Sequence, residues 1–233
     1  MAASGAPAIL SLQGVAFADP RAAPSCRIDL ELGRGDAAIV EVDATDTAAS
    51  LIDLCLGLVD PPAGAARFLD HDWRGLSPGE RFAARSRIGS VVQSQVWPTH
   101  LSIAESIMAP RLYHRDRTPD QAITEATALA RTFGLPGVPA GQRDATAAGE
   151  LVRAACVRAF LGAPALVVVQ DAALDAMAAL GVAMAQAVAA VQDRGGAVLW
   201  IIGPEGAPAA RFVQPGQALR LGDRGLAPMR RSP

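Results

Sequence analysis

The 233 residues (24.0 kDa) are 51% hydrophobic with a mean hydropathy of +0.24, enough for one domain, or a domain with a small subdomain, to bury a sizeable core. A net charge of -2 and an isoelectric point near 5.9, without a sustained basic run, exclude the electrostatic footprint of a nucleic-acid partner. Cys26, Cys55 and Cys156 are odd in number and widely spaced, which fits neither a zinc site nor a disulfide framework and reads as thiols in a reducing compartment.

Met1 to Leu10 has no basic residue and no long apolar run, so no secretory signal is expected. Ile9 to Phe17 alternates apolar and polar residues, and Cys26 to Leu32 does so again through Ile28, Leu30 and Leu32, predicting two half-buried antiparallel strands. Gly33 to Asp36 is a turn, and Ala37 to Val40 a buried strand. A polar loop is predicted over Val42 to Ser50, then an apolar helix from Leu51 to Leu58. Asp60-Pro61-Pro62-Ala63-Gly64 breaks the chain, Ala66 to Leu69 returns as a short strand, and Arg87 to Gln93 reads as a buried strand.

Strand, polar loop and helix in that order is the setting of a phosphate-binding loop. Such a loop uses glycines so that backbone N–H groups can wrap a phosphate, a lysine for the β and γ phosphates and a hydroxyl for magnesium. The pattern Gly-x-x-x-x-Gly-Lys-[Ser/Thr] falls here on Val42, Thr47, Ala48 and Ala49, with Thr45 inside it and Ser50 just after. Asp43 and Asp46 add charge of the wrong sign for a polyanion. At about 6 Å and an effective dielectric near 20, each costs roughly 3 kcal/mol before screening. Two carboxylates without further donors make no metal site, so both are expected in a solvated loop.

From Ser94 to Val138 the pattern is helical. Thr118-Pro119-Asp120-Gln121 supplies a capping hydroxyl, a first-turn proline and a capping-box glutamine. Ile123, Ala126, Ala130 and Phe133 give that helix one apolar face, and Gly134 to Gly137 end it. Helix over Gly149 to Leu161, strand over Ala165 to Val169, helix over Ala176 to Gln192 and strand over Ala197 to Ile202 then predict a parallel αβ core. The Ala-rich run Ala176 to Val191 is interrupted by Gln186 and too short to span a bilayer, so no direct membrane insertion is expected. His71, His100 and His114 share no metal-ligand spacing.

This order and several local strings resemble the ATP-binding subunit of ABC transporters from Ile9 to about Asp223. Gly149 to Phe160 (Gly-Glu-Leu-Val-Arg-Ala-Ala-Cys-Val-Arg-Ala-Phe) is similar to the family's signature helix, with Arg153 and Arg158 in register. Gly162 to Val169 resembles the proline and strand of Walker B, and Gln93 falls on the Q-loop glutamine. The departures fall where the family touches nucleotide. Ala48 replaces the Walker A lysine, Gln170 the Walker B acid, Asp171 the catalytic glutamate by one methylene less, and Gly203 the switch histidine. The adenine-stacking aromatic corresponds to Asp19, with Phe17 nearby. Leu-Ser-Gly-Gly-Gln has become Thr146-Ala147-Ala148-Gly149-Glu150, and Ala172 to Asp175 keep a D-loop-like Ala-Leu-Asp.

The resemblance implies an α/β fold of the P-loop NTPase type. Its ABC ATPase core would be a mixed sheet flanked by helices, with an antiparallel β subdomain and a helical subdomain near 94–160, in one domain over 1–233. Phosphoryl transfer rests on positioning and on charge stabilisation by lysine, metal and a water-orienting group, so the losses together imply a pseudo-ATPase with no catalytic residues. No cofactor is expected, with weak or partner-dependent ATP and magnesium as the alternative. The family's arrangement further implies a cytoplasmic subunit on the inner face of the cell membrane, docked on a permease and paired with a competent ATP-binding subunit or with itself. Trp97, Leu101, Ile107, Met108 and Arg111 lie in the region that faces the permease in that family. Leu101 to Pro110 resembles lipid-moving subfamilies among others. Arg153 and Arg158 are expected to form bracing salt bridges. A transporter-independent protein-binding scaffold on the same fold is the remaining alternative.

Overall fold

A computed structural model describes residues 7–16, 27–93, 96–170, 180–203, 215–222 and 224–229. The alternation at the start produces β1 (Leu10–Val15) and β2 (Ile28–Leu32), paired antiparallel with Leu10 opposite Leu32 and Leu12 opposite Leu30. In β2, Ile28, Leu30 and Leu32 are buried while Asp29 and Glu31 are exposed. β3 (Ala37–Val42) is apolar almost throughout, as a strand covered on both faces must be. After α1 (Thr45–Cys55), β4 (Ala65–Phe68) pairs with the free edge of β1, and β5 (His71–Asp72) completes a four-stranded antiparallel sheet in the order β2-β1-β4-β5.

α2 (Pro78–Arg85) begins at Ser77, whose hydroxyl accepts the Glu80 N–H while the Glu80 carboxylate accepts the Ser77 N–H. Sequence periodicity missed this helix, because none of its residues is buried and the cap is its one strong signal. β6 (Ile88–Val91) is shorter than the predicted Arg87 to Gln93 strand and lies at a sheet edge, with Gly89 and Val91 buried and Ile88 and Ser90 only half-buried.

α3 (Ile103–His114), α4 (Pro119–Thr132) and α5 (Ala148–Phe160) pack on one another, and α5 packs on β6. The predicted cap of α4 is present: the Thr118 hydroxyl accepts the Gln121 N–H, and Gln121 returns the bond. Its buried face is Ala122, Ala126, Ala130 and Phe133, whereas Ile123 is 36% exposed. The four-residue steps from Ala122 to Ala130 point at α3 and α5, and Ile123 is rotated off that stripe.

β7 (Leu166–Gln170), α6 (Gly181–Asp193) and β8 (Ala197–Ile202) follow the predicted order, with 176–179 of the predicted last helix outside the described residues. β9 (Gln217–Gly222) and β10 (Gly225–Pro228) form a terminal hairpin that hydropathy did not signal, since little of β9 beyond Leu221 is buried. The second sheet is six-stranded, β10-β9-β3-β8-β7-β6, parallel except for the β9–β10 pair. Alternate residues of β8 enter two cores. Val198, Trp200 and Ile202 join the helices α3 to α6, while Ala197, Leu199 and Ile201 join α1 and the antiparallel sheet.

Candidate functional site

In a parallel sheet, ligands meet the carboxyl ends of the strands. At that end β3 stops at Val42, β7 at Gln170 and β8 at Ile202, with Gly203 next, and β6 leads into Gln93. Glu41 is opposite Ile202, and Gln170 opposite Ile201. Four positions that the sequence singled out are therefore collected at one end of the sheet.

The loop predicted over Val42 to Ser50 does not form. Val42 is the buried last residue of β3, Asp43 and Ala44 alone connect it to α1, and Thr45, Asp46, Thr47, Ala48, Ala49 and Ser50 are that helix's first turns. No glycine occurs between Ala37 and Leu56 to hold a wrapped backbone, and an alanine-containing stretch winds into helix instead. The Ala48 N–H is spent on the Ala44 carbonyl. Ala48 itself is 3% exposed and packs in the core between α1 and the sheets. The residue expected at the place of a phosphate-binding lysine thus faces the interior.

Asp43 is exposed in the two-residue connection, as expected, but it has a partner there. Arg220 of β9 donates to it at 2.8 Å and stands 3.5 Å from Glu41. The hydrogen bond and charge of Asp43, then the charge of Glu41, hold the Arg220 guanidinium more firmly in its charged form. Sequence reasoning passed over Arg220, which lies 177 residues from Asp43. Glu41 and Asp43 thus share one guanidinium at this corner.

Gln170 is 7% exposed and its Oε1 accepts the Gln93 N–H at 2.9 Å. Where the resemblance leads one to expect a metal-organising acid, a neutral amide ties down the backbone of Gln93. Gln170→Ala leaves that N–H without its acceptor and is expected to cost about 1 kcal/mol. Denaturant unfolding reads the cost, and faster amide exchange at Gln93 places it.

No described residue lies within 4 Å of the place a Cβ would take on Gly203. Asp171, the neighbouring Ala172 to Asp175, Phe17 and Asp19 lie outside the described residues. Ala147, Ala148, Gly149 and Glu150 are exposed at the start of α5, where Ala147 caps the helix without a side-chain bond and a Cβ on Gly149 would touch nothing. Among the described residues no group of three His, Cys, Asp or Glu side chains is placed to hold a metal. Cys55 and Cys156 are buried and burial pushes both thiols up to about 12, so neither is a thiolate at neutral pH.

A cleft of about 400 Å³ opens between β6, α3 and α5, lined among others by Arg85, Val96, Leu101, Ser106, Arg111 and Arg158. It alters the reading of the predicted permease residues. Trp97 is 7% exposed, Ile107 1% and Arg111 7%, because the apolar stripe of α3 turns inward onto α4 and α5. Leu101 and Met108 are half-buried, and of the five Leu101 and Arg111 line the cleft. The exposed side chains here are ones that sequence reasoning missed: Val96, and the Phe82–Tyr113 ring pair with centroids 4.8 Å apart. The predicted bracing arginines brace, though among the described residues not by salt bridges. Arg153 donates to the carbonyls of Phe133 and Gly134, and Arg158 donates to Val96 O and covers the Trp97 ring at 4.3 Å.

No protein-family model matches the chain. Over 158 residues it is 27% identical to the phosphonates import ATP-binding protein PhnC 1 of Rhodopseudomonas palustris (strain BisB18), a match covering 64% of this chain and 58% of that protein. A second match, 28% over 127 residues, is to PhnC 2 of Synechococcus sp. (strain JA-2-3B'a(2-13)), covering 51% and 47%. The matched chain thus spans about half the length of these curated relatives. Among solved structures, the chain superposes on an ATP-binding subunit of an ABC transporter with TM-score 0.79 and 14% identity, covering 94% of this chain and 88% of that one. It superposes on the ATP-binding cassette MJ0796, in a dimeric post-hydrolysis state bound to ADP and Pi, with TM-score 0.78 and 13% identity over 93% and 96%. A bacterial Atm1-family ABC exporter with ATP bound matches at 0.75 and 18%, over 97% of this chain and 39% of that one. The fold is that of ABC ATPases, a mixed sheet flanked by helices with an antiparallel β subdomain.

Proposed function

We propose that this chain is a catalytically defective ABC-type subunit of a membrane transporter, acting structurally or as a regulator beneath a permease rather than as a source of ATP hydrolysis. The observation that carries the reading is the β3–α1 connection. Two residues, an inward-facing Ala48 and a carboxylate corner occupy the place where a phosphate would need a wrapped backbone and a cation. Gln170, engaged with Gln93, supports it from the neighbouring strand.

The subunit is cytoplasmic and peripheral, held at the inner face of the membrane through the permease. It pairs with a competent ATP-binding subunit or with a second copy of itself, and needs no nucleotide or metal of its own. The helical subdomain near 94–160 carries the permease contact. Consistent with peripheral attachment, no helix among the described residues is long and apolar enough to cross a membrane. Lipid is the cargo suggested by the Leu101 to Pro110 segment, and the names of the two relatives add phosphonate import as a second cargo class.

Calorimetry with magnesium and ATP at about 1 mM, on the chain alone, tests the proposal. A site that weak is worth only about 4 kcal/mol, and no saturable heat is expected. Micromolar binding by the isolated chain overturns the reading in favour of an unorthodox ATPase. Binding seen only with co-purified partners supports a subunit that leaves turnover to its partner.

A further inference from the structure

Two arginines in the cleft between β6, α3 and α5 have no carboxylate partner. Arg111 is paired with Asp116 at 2.9 Å. Arg85 and Arg158, which line the same cleft, meet no carboxylate among the described residues. Arg85 donates to Gly57 O at 3.1 Å and Arg158 to Val96 O at 3.2 Å. Each bond anchors one end of a guanidinium that has five N–H groups to give. Burial pushes the Arg158 guanidinium down to about 10, as expected of a cation with little compensation nearby.

Ser106 of α3 is 5% exposed, and its hydroxyl lines the cleft without a hydrogen-bond partner. A buried hydroxyl in that state carries a desolvation cost that a bound atom would relieve. Val96, Leu101, Ala109 and Pro110 supply an apolar wall. The volume of about 400 Å³ lies within the span of small-molecule sites, about 300–1,000 Å³, and exceeds what a bare inorganic ion fills.

From two arginines without a carboxylate, an orphan hydroxyl and an apolar wall in one cleft, we infer that it binds an organic phosphate monoester. Such a group carries close to two negative charges at neutral pH and three acceptor oxygens. The guanidinium forks of Arg85 and Arg158 match that charge and that geometry. The Ser106 hydroxyl donates to a remaining oxygen, and the organic part packs on Val96 and Leu101. A carboxylate, with one charge and two oxygens, would leave one of the three donors unused. The monoester comes from a soluble metabolite or from a lipid headgroup of the phosphatidic acid type, and its chemistry at the three donors is the same.

Phenyl phosphate, phenol and inorganic phosphate are titrated into the full chain by calorimetry at neutral pH. Phenyl phosphate is expected to bind one to one and at least about tenfold more tightly than either fragment, because it alone meets both the charge and the apolar wall. Arg85→Gln should weaken it about tenfold and Ser106→Ala about fivefold, the scales of one charge-assisted and one neutral hydrogen bond. Ser106→Ala should also leave the thermal midpoint of the free chain level or raised, a pairing that a purely structural serine would not produce. If Arg85→Gln does not fold, Arg85→Lys replaces it, with a smaller weakening expected from loss of the fork. Sedimentation with phosphatidylcholine vesicles, with and without phosphatidic acid, separates the two sources. Capture by phosphatidic acid that both variants lose identifies a headgroup, phenyl phosphate binding without capture identifies a soluble ligand, and either supports the site. No saturable binding in both assays, equal binding of phenol, or an affinity indifferent to both substitutions in folded variants overturns it and leaves the transporter reading of the chain standing.

Discussion

Gly89→Ala is expected to destabilise the protein by about 3 kcal/mol or more, at the upper end of overpacking substitutions. A Cβ at this position would lie 2.7 Å from the Ala159 carbonyl carbon and 3.1 Å from its Cα, with the carbonyl oxygen nearer still. These are backbone atoms of α5, so no rotamer change relieves the clash, and β6 and α5 must separate. β6 is a four-residue edge strand held by β7 alone within its sheet, so it is the element that yields. The measurement is the denaturant midpoint at unchanged slope, and a loss below 1 kcal/mol would show that the strand–helix contact is slack. Gly149→Ala is the matched control: nothing crowds it and it sits in the first turn of α5, so a gain of several tenths of a kcal/mol is expected.

Arg111→Glu is expected to cost about 3 kcal/mol or more, because it sets a carboxylate at a position only 7% exposed. The guanidinium is bonded to Asp116 at 2.9 Å and to the Ser86 carbonyl, and lies directly over Gly162, where a Cβ would strike it. Charge reversal sets a second carboxylate beside Asp116 and strips Ser86 O of its donor. Arg111→Lys keeps the charge but loses the planar fork and should cost less. Asp116→Asn, at a carboxylate 37% exposed, should cost within about 1 kcal/mol. Thermal unfolding of the three variants checks the order. A near-neutral Arg111→Glu would mean that the side chain can swing out to solvent. The order also bears on recruitment, because failure of an Arg111 variant to reach the membrane would report unfolding. Phe82, Tyr113 and Val96 are the positions at which a docking surface can be altered without that confusion.

Much of the fold is legible locally because its signals are local. The Thr118 and Gln121 pair specifies the start of α4 within four residues. The period of two in β2 and the unbroken apolar run of β8 separate a half-covered sheet from one covered on both faces. α2 escaped because it buries nothing, and the β9–β10 hairpin because only Leu221 and Gly225 of it are buried.

The candidate site divides along the same line. Residue identity alone led to the expectation that Ala48, Gln170 and Gly203 stand where the resembling family has a lysine, an acid and a histidine, since missing functional groups need no coordinates to be noticed. The tertiary structure alone decided that the presumed loop is helix, that Arg220 neutralises Asp43, that Gln170 holds Gln93, and that Trp97, Ile107 and Arg111 turn inward. Each of these depends on which element covers which face, or on groups 77 and 177 residues apart meeting at the end of one sheet. A helical stripe looks the same in sequence whether it packs on its own chain or on a partner, and only the neighbours that bury it tell the two apart.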